Sequence, residues 1–198
     1  ILVELEPGIL IDCKIKSNLG SIVCGDKVAI EAGSNQEHRV MAILPRENLL
    51  QRLDGFGQVR AVAANITQLL ICLAVSPEPN LFLLDQYLLS AEQQGIEAVI
   101  LINKIDLLPS TADPFGINSI YHPLGYEIIC TSVETDQGMT EFRQRLIGQL
   151  SVLSGVSGVG KSSLTSYLLP NETIKIANIS EANEEGRHTT RTSRLYHL

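Results

Sequence analysis

Residues 155–162 read Gly155-Val156-Ser157-Gly158-Val159-Gly160-Lys161-Ser162, and this stretch decides the fold. It satisfies the pattern GxxxxGK[S/T] of a phosphate-binding P-loop at every fixed position. A short strand-like run at 151–153 precedes it and helical spacing begins at Lys161, as the motif requires. Glycines let the backbone close around phosphate groups, while N–H groups and the helix N-terminus add positive potential. The stretch therefore predicts a nucleotide-binding α/β domain.

The residue types of this loop also predict individual contacts. Lys161 is expected to reach the β- and γ-phosphates, and the Ser162 hydroxyl is expected to ligate Mg²⁺. A glycine-rich turn between a strand and a helix, without a ligand, is the alternative interpretation. The predicted phosphate-binding residues are those of the motif and the serine after it: Gly155, Val156, Ser157, Gly158, Val159, Gly160, Lys161, Ser162 and Ser163.

A second motif, Asn103-Lys104-Ile105-Asp106, follows the apolar run 98–102 and is typical of guanine recognition. The Asp106 carboxylate can accept hydrogen bonds from the guanine N1–H and 2-amino group, whereas adenine leaves it unpaired, and that difference selects GTP over ATP. The stem of Lys104 is expected to cover the base, and Asn103 to tie the loop to the P-loop. Alone, the motif is equally compatible with an exposed turn after a strand. The base-binding candidates are Asn103, Lys104, Ile105 and Asp106.

A third candidate loop begins at Cys130 and reads Cys130-Thr131-Ser132-Val133. GTPases place a Ser-Ala-like turn after the corresponding strand, and a backbone N–H of that turn meets the guanine O6. The match here is degenerate, so an ordinary strand end is the alternative. Thr131, Ser132 and Val133 are the candidates for this contact.

The rest of the carboxyl-terminal two thirds alternates between strand and helix patterns. Continuous apolar runs predict parallel strands that are buried on both faces, and apolar residues at helical spacing predict the helices between them. The alternation predicts an α/β domain with a parallel sheet whose ligand lies at the carboxyl ends of the strands, where both motifs fall. The expected strands are 68–75, 98–102, 127–130 and 151–153, and the expected helices are 81–94, 139–150 and 161–169.

The amino-terminal part has a different pattern, which predicts short β-strands. Alternation at 10–16, two short strands at 21–30 around Gly25-Asp26, and a strand at 39–44 indicate a small antiparallel barrel. About 45 residues is short for a complete five-stranded barrel, so one interpretation is that its first strand is missing. The segment 45–59 is interpreted as a polar connector, and the domains are predicted to be 1–55 and 56–198.

The amino-acid composition limits the classes of protein to which the chain can belong. The 198 residues are 44% hydrophobic and carry a net charge of −7, which indicates a globular chain without a generally nucleic-acid-binding surface. No apolar run is long enough to span a membrane, and four scattered cysteines suggest reduced thiols in a cytosolic protein. The start, without Met or a basic region, is interpreted as the interior of a longer protein. The basic stretch 187–198 is either a phosphate or RNA contact or a solvated segment.

The guanine motif precedes the P-loop, whereas ordinary GTPases have the opposite order. That order, the Thr131-Ser132-Val133 turn and a later Gly186-Arg187-His188-Thr189-Thr190 string together resemble the RsgA/YjeQ family of bacterial circularly permuted GTPases. The amino-terminal module, with its strings 25–28 (GDKV) and 44–46 (LPR), is similar to the OB-fold of that family. The resemblance implies a circularly permuted P-loop GTPase domain preceded by a partial OB-fold-like barrel.

The resemblance also implies a function and a switch. It implies a cytoplasmic, monomeric GTPase that matures the small ribosomal subunit, contacts its rRNA, and has no DNA or membrane partner. Residues 186–190 would be switch I, with Thr189 or Thr190 ligating Mg²⁺ and sensing the γ-phosphate. His188 would position or activate water as the catalytic residue; an exposed loop histidine or an rRNA contact is its alternative.

Three departures from the family pattern qualify these expectations. The DxPG motif of switch II and the zinc module of Cys and His ligands are absent, and Arg191 stands where a third Thr often follows. We interpret the first two as truncation before switch II, with Zn²⁺ expected only in the absent module. Hydrolysis by these 198 residues is therefore open, and the alternative is a nucleotide-controlled RNA- or ribosome-binding module. A P-loop ATPase or kinase is the third hypothesis.

Overall fold

The computed structural model describes residues 1–33, 37–53, 57–108, 113–170 and 195–196, apart from the side chains of Arg52 and Leu53. The chain divides into two compact units, with the division between Asn65 and Ile66 rather than after residue 55. The difference arises because the segment expected to be a connector forms a hairpin with residues beyond the expected boundary.

The first unit consists of short strands: β1 (Leu2–Glu6), β2 (Ile9–Ile15), β3 (Val28–Ala32), β4 (His38–Ile43), β5 (Leu49–Leu53) and β6 (Val59–Ala64). The first four form a sheet in the order β1-β2-β4-β3, and β5 and β6 form a separate hairpin. Because β2 pairs with β4 in parallel, the sheet is mixed, and the expectation of an antiparallel barrel is wrong in this respect.

Three further expectations for this unit are corrected. Strand β1 was not predicted, although it pairs antiparallel with β2. The segment 45–59 is not a connector, because β5 lies in it and pairs with β6. Of the two short strands expected at 21–30, only β3 forms, and Cys24 makes an isolated bridge to Ala63. Runs this short have little hydrophobic periodicity, so pairing with distant residues decides which of them become strands.

A partly buried ion pair organises the turn between the second and third strands. Arg46 holds Asp26 through two hydrogen bonds, Nε to Oδ1 at 2.6 Å and Nη2 to Oδ2 at 2.8 Å. The Asp26 side chain is 1% exposed, and the Val23 N–H also donates to it. Burial opposes ionisation of Asp26, but the hydrogen bonds from Arg46 and Val23 prevail and lower its pKa.

The second unit is an α/β domain, as predicted. Its elements are β7 (Gln68–Ala74), α1 (Leu81–Gln93), β8 (Glu97–Asn103), α2 (Ile117–Tyr121), β9 (Glu127–Thr131), α3 (Met139–Leu146), β10 (Ser151–Ser154) and α4 (Lys161–Leu168). The four strands form one sheet in the order β10-β7-β8-β9, and all three pairings are parallel. Every residue of β7 is buried, as expected for a central parallel strand.

Two features of this unit differ from the sequence prediction. Helix α3 ends at Leu146 rather than at 150, because Ile147 is extended and Gly148 has φ +72°. Between β8 and β9 the chain forms short turns of 3₁₀-helix and the five-residue α2, for which no prediction was made. Elements this short lack two turns of apolar periodicity, which is the signal that identifies a helix in sequence.

The strand order brings the three predicted ligand loops to one edge of the sheet. β10 is the last strand in the chain, yet it pairs with β7, the first strand of the unit. All four strands are parallel, so the loops after β8, β9 and β10 emerge at the same edge of the sheet. Sequence-distant loops at 103–106, 131–133 and 155–160 therefore come together.

Candidate functional site

The glycine-rich loop 155–160 follows β10, and two of its glycines are required by close contacts. Gly155 has φ +146°, and a Cβ there would lie 2.2 Å from the Cys72 carbonyl oxygen. Gly160 has φ +92°, and a Cβ there would lie 2.3 Å from Nδ2 of Asn103. A side chain at Gly155 would displace the backbone of β7, and one at Gly160 would displace the side-chain amide of Asn103 at the end of β8. The P-loop pattern thus coincides with the points where the loop touches its neighbours.

Lys161 is the first residue of α4, and its side chain folds back over the loop. Its Nζ donates to the carbonyl oxygens of Gly155 at 2.8 Å and Val156 at 2.7 Å. Partial burial lowers the pKa of Lys161 below its ordinary value. A cation held in this way by two backbone carbonyls of the loop is suited to an anionic ligand, whose charge would stabilise the ammonium form.

Two serines follow Lys161 in the first turn of α4. Ser162 is half-buried and Ser163 is exposed. Within the described residues, no side-chain hydrogen bond occupies the Ser162 hydroxyl, whereas the neighbouring Thr165 hydroxyl donates to the Lys161 carbonyl. The oxygen that was predicted to ligate a metal ion is therefore available beside the phosphate-binding candidates.

Asn103 links three loops. Its side chain is buried, its Nδ2 donates to the Val159 carbonyl oxygen at 2.9 Å, and its Oδ1 accepts from the Thr131 hydroxyl at 3.2 Å. One amide therefore joins the end of β8 to the glycine-rich loop and to the end of β9. The expectation that Asn103 ties the two motifs together agrees with this geometry.

Lys104 also bonds to the glycine-rich loop, in a way that sequence did not predict. It adopts the left-handed conformation with φ +62°, which is uncommon for a residue with a Cβ. Its Nζ donates to the carbonyl oxygens of Gly158 at 2.6 Å and Ser76 at 2.8 Å. The Ser76 carbonyl thus contributes to this site, although its residue type does not indicate it. Its signal in the sequence is its position two residues after the end of β7, at the same edge of the sheet as both motifs.

Asp106 lies in the 3₁₀ turn Ile105–Leu107 and is exposed, with one carboxylate oxygen oriented by the third loop. The Ser132 hydroxyl donates to Asp106 Oδ1 at 2.6 Å, and Ser132 itself is fully buried. The Thr135 N–H donates to the same hydroxyl at 3.2 Å, which directs its hydrogen toward the carboxylate. The arrangement fixes the acceptor direction of Asp106.

The turn 131–133 already uses several of its polar groups within the protein. The backbone N–H of Ser132 donates to the Gln137 carbonyl oxygen at 2.9 Å, so it is already used within the turn. Ser132 contributes to the site through its hydroxyl, Thr131 through its bond to Asn103, and Val133 packs partly buried against the core. The Ser132 N–H is thus already engaged, and a backbone contact from this turn to the guanine O6 stays a prediction.

Several sequence candidates lie outside the described residues, namely His188, Thr189 and Thr190. Across the described ranges, no group of three or more His, Cys, Asp or Glu side chains is placed to hold a metal ion. The four cysteines are free thiols, and burial raises the pKa of Cys72, next to the glycine-rich loop, to about 12. No described helix has the length and apolarity needed to cross a membrane.

A family model and curated relatives both match most of this chain. The family model described as RsgA GTPase matches residues 43–198. The small ribosomal subunit biogenesis GTPase RsgA of Hahella chejuensis is 42% identical over 98% of this chain and 57% of its own length. The protein of the same description from Pseudomonas fluorescens SBW25 is 40% identical over 94% of this chain and 55% of its own length.

A solved structure agrees with these relatives. The crystal structure of YjeQ from Thermotoga maritima has a TM-score of 0.69 and 32% sequence identity, and the match covers 85% of this chain and 60% of that chain. The chain thus spans a little over half the length of the curated relatives it matches.

Proposed function

Because the chain belongs to the RsgA GTPase family, we propose that it binds GTP and, in the longer protein, hydrolyses it to GDP and phosphate during maturation of the small ribosomal subunit. The main structural support for this proposal is the 2.9 Å hydrogen bond from Asn103 Nδ2 to the Val159 carbonyl oxygen. It joins the loop expected to read the base to the loop expected to bind the phosphates. A single nucleotide can therefore span both.

We propose that the GTPase domain is circularly permuted. The strand that carries 103–106 precedes the strand that carries 155–160 in the chain, although both loops lie at one edge of the sheet. Permutation changes the order of the strands in the chain but not their neighbours in space. The strand order β10-β7-β8-β9 is what that operation would produce, and the likeness to YjeQ supports it.

Guanine selection is proposed for Asp106. Its exposed carboxylate has one oxygen bonded to the Ser132 hydroxyl, so the other accepting positions are directed by that bond. The guanine N1–H and 2-amino group would donate to them, and adenine would leave the carboxylate without donors. Lys104 would cover the base with its stem, while its ammonium stays bonded to Gly158 and Ser76.

Phosphate binding is proposed for the loop 155–160, Lys161 and the first turn of α4. The contacts of Lys161 to two loop carbonyls hold its ammonium at the mouth of the loop. Ser162 fits a Mg²⁺ ligand, because its oxygen is a hard donor and has no other described hydrogen bond. When bound, Mg²⁺ neutralises charge on the β- and γ-phosphates. On the basis of the family resemblance, we also propose Thr189 or Thr190 as a further Mg²⁺ ligand. On the same basis, His188 is proposed to position the attacking water.

The first unit and the partners are proposed on the same basis. We propose that Ile1–Asn65 is an OB-fold-like module that contacts rRNA, since single-stranded nucleic acids bind on such modules. The named relatives are small ribosomal subunit biogenesis GTPases, so the subunit is the proposed partner and the cytoplasm the proposed compartment. Zinc is proposed only for the module that the family pattern adds after switch II.

The test is phosphate release by the full-length protein, with and without purified small ribosomal subunits. We expect GTP hydrolysis that rises when subunits are added, and no hydrolysis by a Lys161→Ala variant. Labelled GDP should be displaced by unlabelled GTP and not by ATP at the same concentration. A full-length protein that releases no phosphate even with subunits would leave only nucleotide-controlled binding. Equal displacement by ATP would instead indicate an ATPase or kinase.

A further inference from the structure

Helix α1 carries large apolar residues on both of its sides. Leu84, Leu88 and Ala91 are buried against the sheet. On the outer side, Phe82 is 70% exposed and Leu89 is 56% exposed. These two lie seven residues apart, which is two turns, so they share one face. A surface helix ordinarily pairs an apolar inner face with a polar outer face, and α1 departs from that rule.

The segment 117–126, which lies beside α1, extends this apolar surface. The Tyr121 hydroxyl donates to Asp85 Oδ1 at 2.7 Å, and the Tyr126 hydroxyl donates to Glu92 Oε1, which holds the segment alongside α1. On this segment Ile120 is 48% exposed and Leu124 is 67% exposed. We call these four exposed side chains the α1 patch: Phe82, Leu89, Ile120 and Leu124. Single exposed apolar residues are normal, but here four lie on two elements that are hydrogen-bonded to each other, which makes them a candidate interaction surface.

The charge around the α1 patch limits what can bind there. Residues 76–103 and 113–126 contain no Lys or Arg, while their acidic residues are Glu78, Asp85, Glu92, Glu97 and Asp113. Nucleic acid binds through cations that neutralise its phosphates, and neither segment supplies one. Arg145, which bonds to Glu97, is already held by that carboxylate and by Glu127. Proteins that themselves bind rRNA carry the excess of Lys and Arg that complements such a surface.

We propose that the α1 patch docks a protein of the small ribosomal subunit, through a segment of that protein in which basic side chains flank apolar ones. This inference rests on the proposed function for the identity of the assembly. The apolar residues supply the area that is buried, and the carboxylates of Asp85 and Glu92 attract the basic side chains. The two tyrosine hydrogen bonds keep both carboxylates in fixed positions before the partner arrives.

The first test measures the affinity of the full-length protein, loaded with a non-hydrolysable GTP analogue, for purified small subunits. A Phe82→Ser, Leu89→Ser double variant should bind about tenfold more weakly, because central apolar contacts dominate interface energies. Ile147→Ser is the matched control, since Ile147 is 72% exposed but lies outside the patch, and its binding should stay within about twofold. GDP affinity should be equal in all three proteins, which shows that the variants are folded.

The second test identifies what touches the patch. A photo-cross-linking residue at position 89 should produce an adduct with a subunit protein that survives ribonuclease and is destroyed by protease. Three results would each contradict the proposed docking surface while leaving the proposed function intact. They are cross-links to rRNA alone, cross-links to another part of the same chain, and unchanged affinity of the double variant. If the wild-type protein neither binds subunits nor hydrolyses GTP faster with them, the proposed function and this inference both fall.

Discussion

Nδ2 of Asn103 lies 2.9 Å from the carbonyl oxygen of Val159, a residue 56 positions later in the chain. The same amide accepts from Thr131 through its Oδ1, so its donor and its acceptor are both engaged in a buried environment. A buried amide satisfied on both sides holds its partners more firmly than any one exposed bond. This side chain thus fixes the spacing between the loop expected to bind the base and the loop expected to bind the phosphates.

Asn103→Ala should therefore weaken stability and nucleotide affinity together. It leaves the Val159 carbonyl and the Thr131 hydroxyl buried without partners, at a cost of about 1–3 kcal/mol in the free energy of unfolding. We expect urea denaturation to show that loss and a fluorescent GDP analogue to bind more weakly. Asn118→Ala, at an exposed position of α2, is the control and should change neither quantity. Unchanged GDP affinity in Asn103→Ala would show that the loops keep their spacing without the bond.

Ser132→Ala should lower guanine affinity more than phosphate affinity. The substitution removes the 2.6 Å hydrogen bond that orients Asp106, so the carboxylate must be ordered when the base binds. We expect GDP affinity to fall about tenfold, which corresponds to about 1.4 kcal/mol, while ADP affinity changes little. Titration calorimetry with both nucleotides gives the comparison, and Ser166→Ala on the exposed side of α4 is the control. Equal losses for GDP and ADP would indicate general damage to the loop.

Asp106→Asn should change which base is preferred. An amide at position 106 can donate, and xanthine presents a carbonyl at C2 where guanine presents an amino group. We expect the variant to lose guanine affinity and to gain in its ratio of xanthosine to guanosine diphosphate affinity, with phosphate contacts intact. Competition against labelled nucleotide measures that ratio. An unchanged preference for guanine over adenine nucleotides in this variant would remove Asp106 from base recognition.

Long apolar runs and fixed motifs made the α/β unit predictable from sequence. The strand pattern of 68–75 requires burial on both faces, and only a central parallel strand offers that, which β7 confirms. The motif at 155–162 fixes the positions of two glycines, and both have close backbone or side-chain neighbours. At these positions the local sequence pattern and the long-range packing require the same types of residue, so the pattern alone predicts the structure.

The parts that sequence missed depend on partners far away in the chain. Strand β5 is recognisable only once β6 is known to pair with it. The contact between Lys104 and the Ser76 carbonyl uses a backbone group, and no residue type signals a backbone acceptor. For the turn 131–133 only a backbone N–H contact was expected, and the hydrogen bond from the Ser132 hydroxyl to Asp106 was not predicted. Tertiary geometry, and not residue identity, decides such contacts.

Gly160→Ala should be far more damaging than Gly95→Ala, although both positions have positive φ. At Gly95, φ is +64° and a Cβ would meet nothing within 4 Å, so the cost is only the backbone conformation, about 1–2 kcal/mol. At Gly160, a Cβ would also lie 2.3 Å from Nδ2 of Asn103, which must move and lose its bond to Val159. We expect Gly160→Ala to lose nucleotide binding in a fluorescence titration and Gly95→Ala to keep it. Similar nucleotide affinities in the two variants would contradict the close approach.

The ion pair between Asp26 and Arg46 should give the first unit a stability that depends on acid pH. The folded pKa of Asp26 is lowered from its unfolded value of about 4, so the ionised form is bound more tightly in the folded state. The resulting stability is fully present above the unfolded pKa and is lost as the pH falls through the folded pKa.

Asp26→Asn removes the charge and should lower the free energy of unfolding by about 1–3 kcal/mol at pH 7, because Arg46 keeps its cation without a carboxylate. The difference between wild type and variant should shrink as the pH falls below about 4, because the wild-type carboxyl is protonated first in the unfolded state and then, at lower pH, in the folded state. Urea denaturation between pH 3 and pH 7 measures it. Glu47→Gln is the matched control, because its pair with Lys27 is exposed and contributes about 0–1 kcal/mol. A gap between wild type and Asp26→Asn that stays constant across this range would mean that the Asp26 charge does not stabilise the fold.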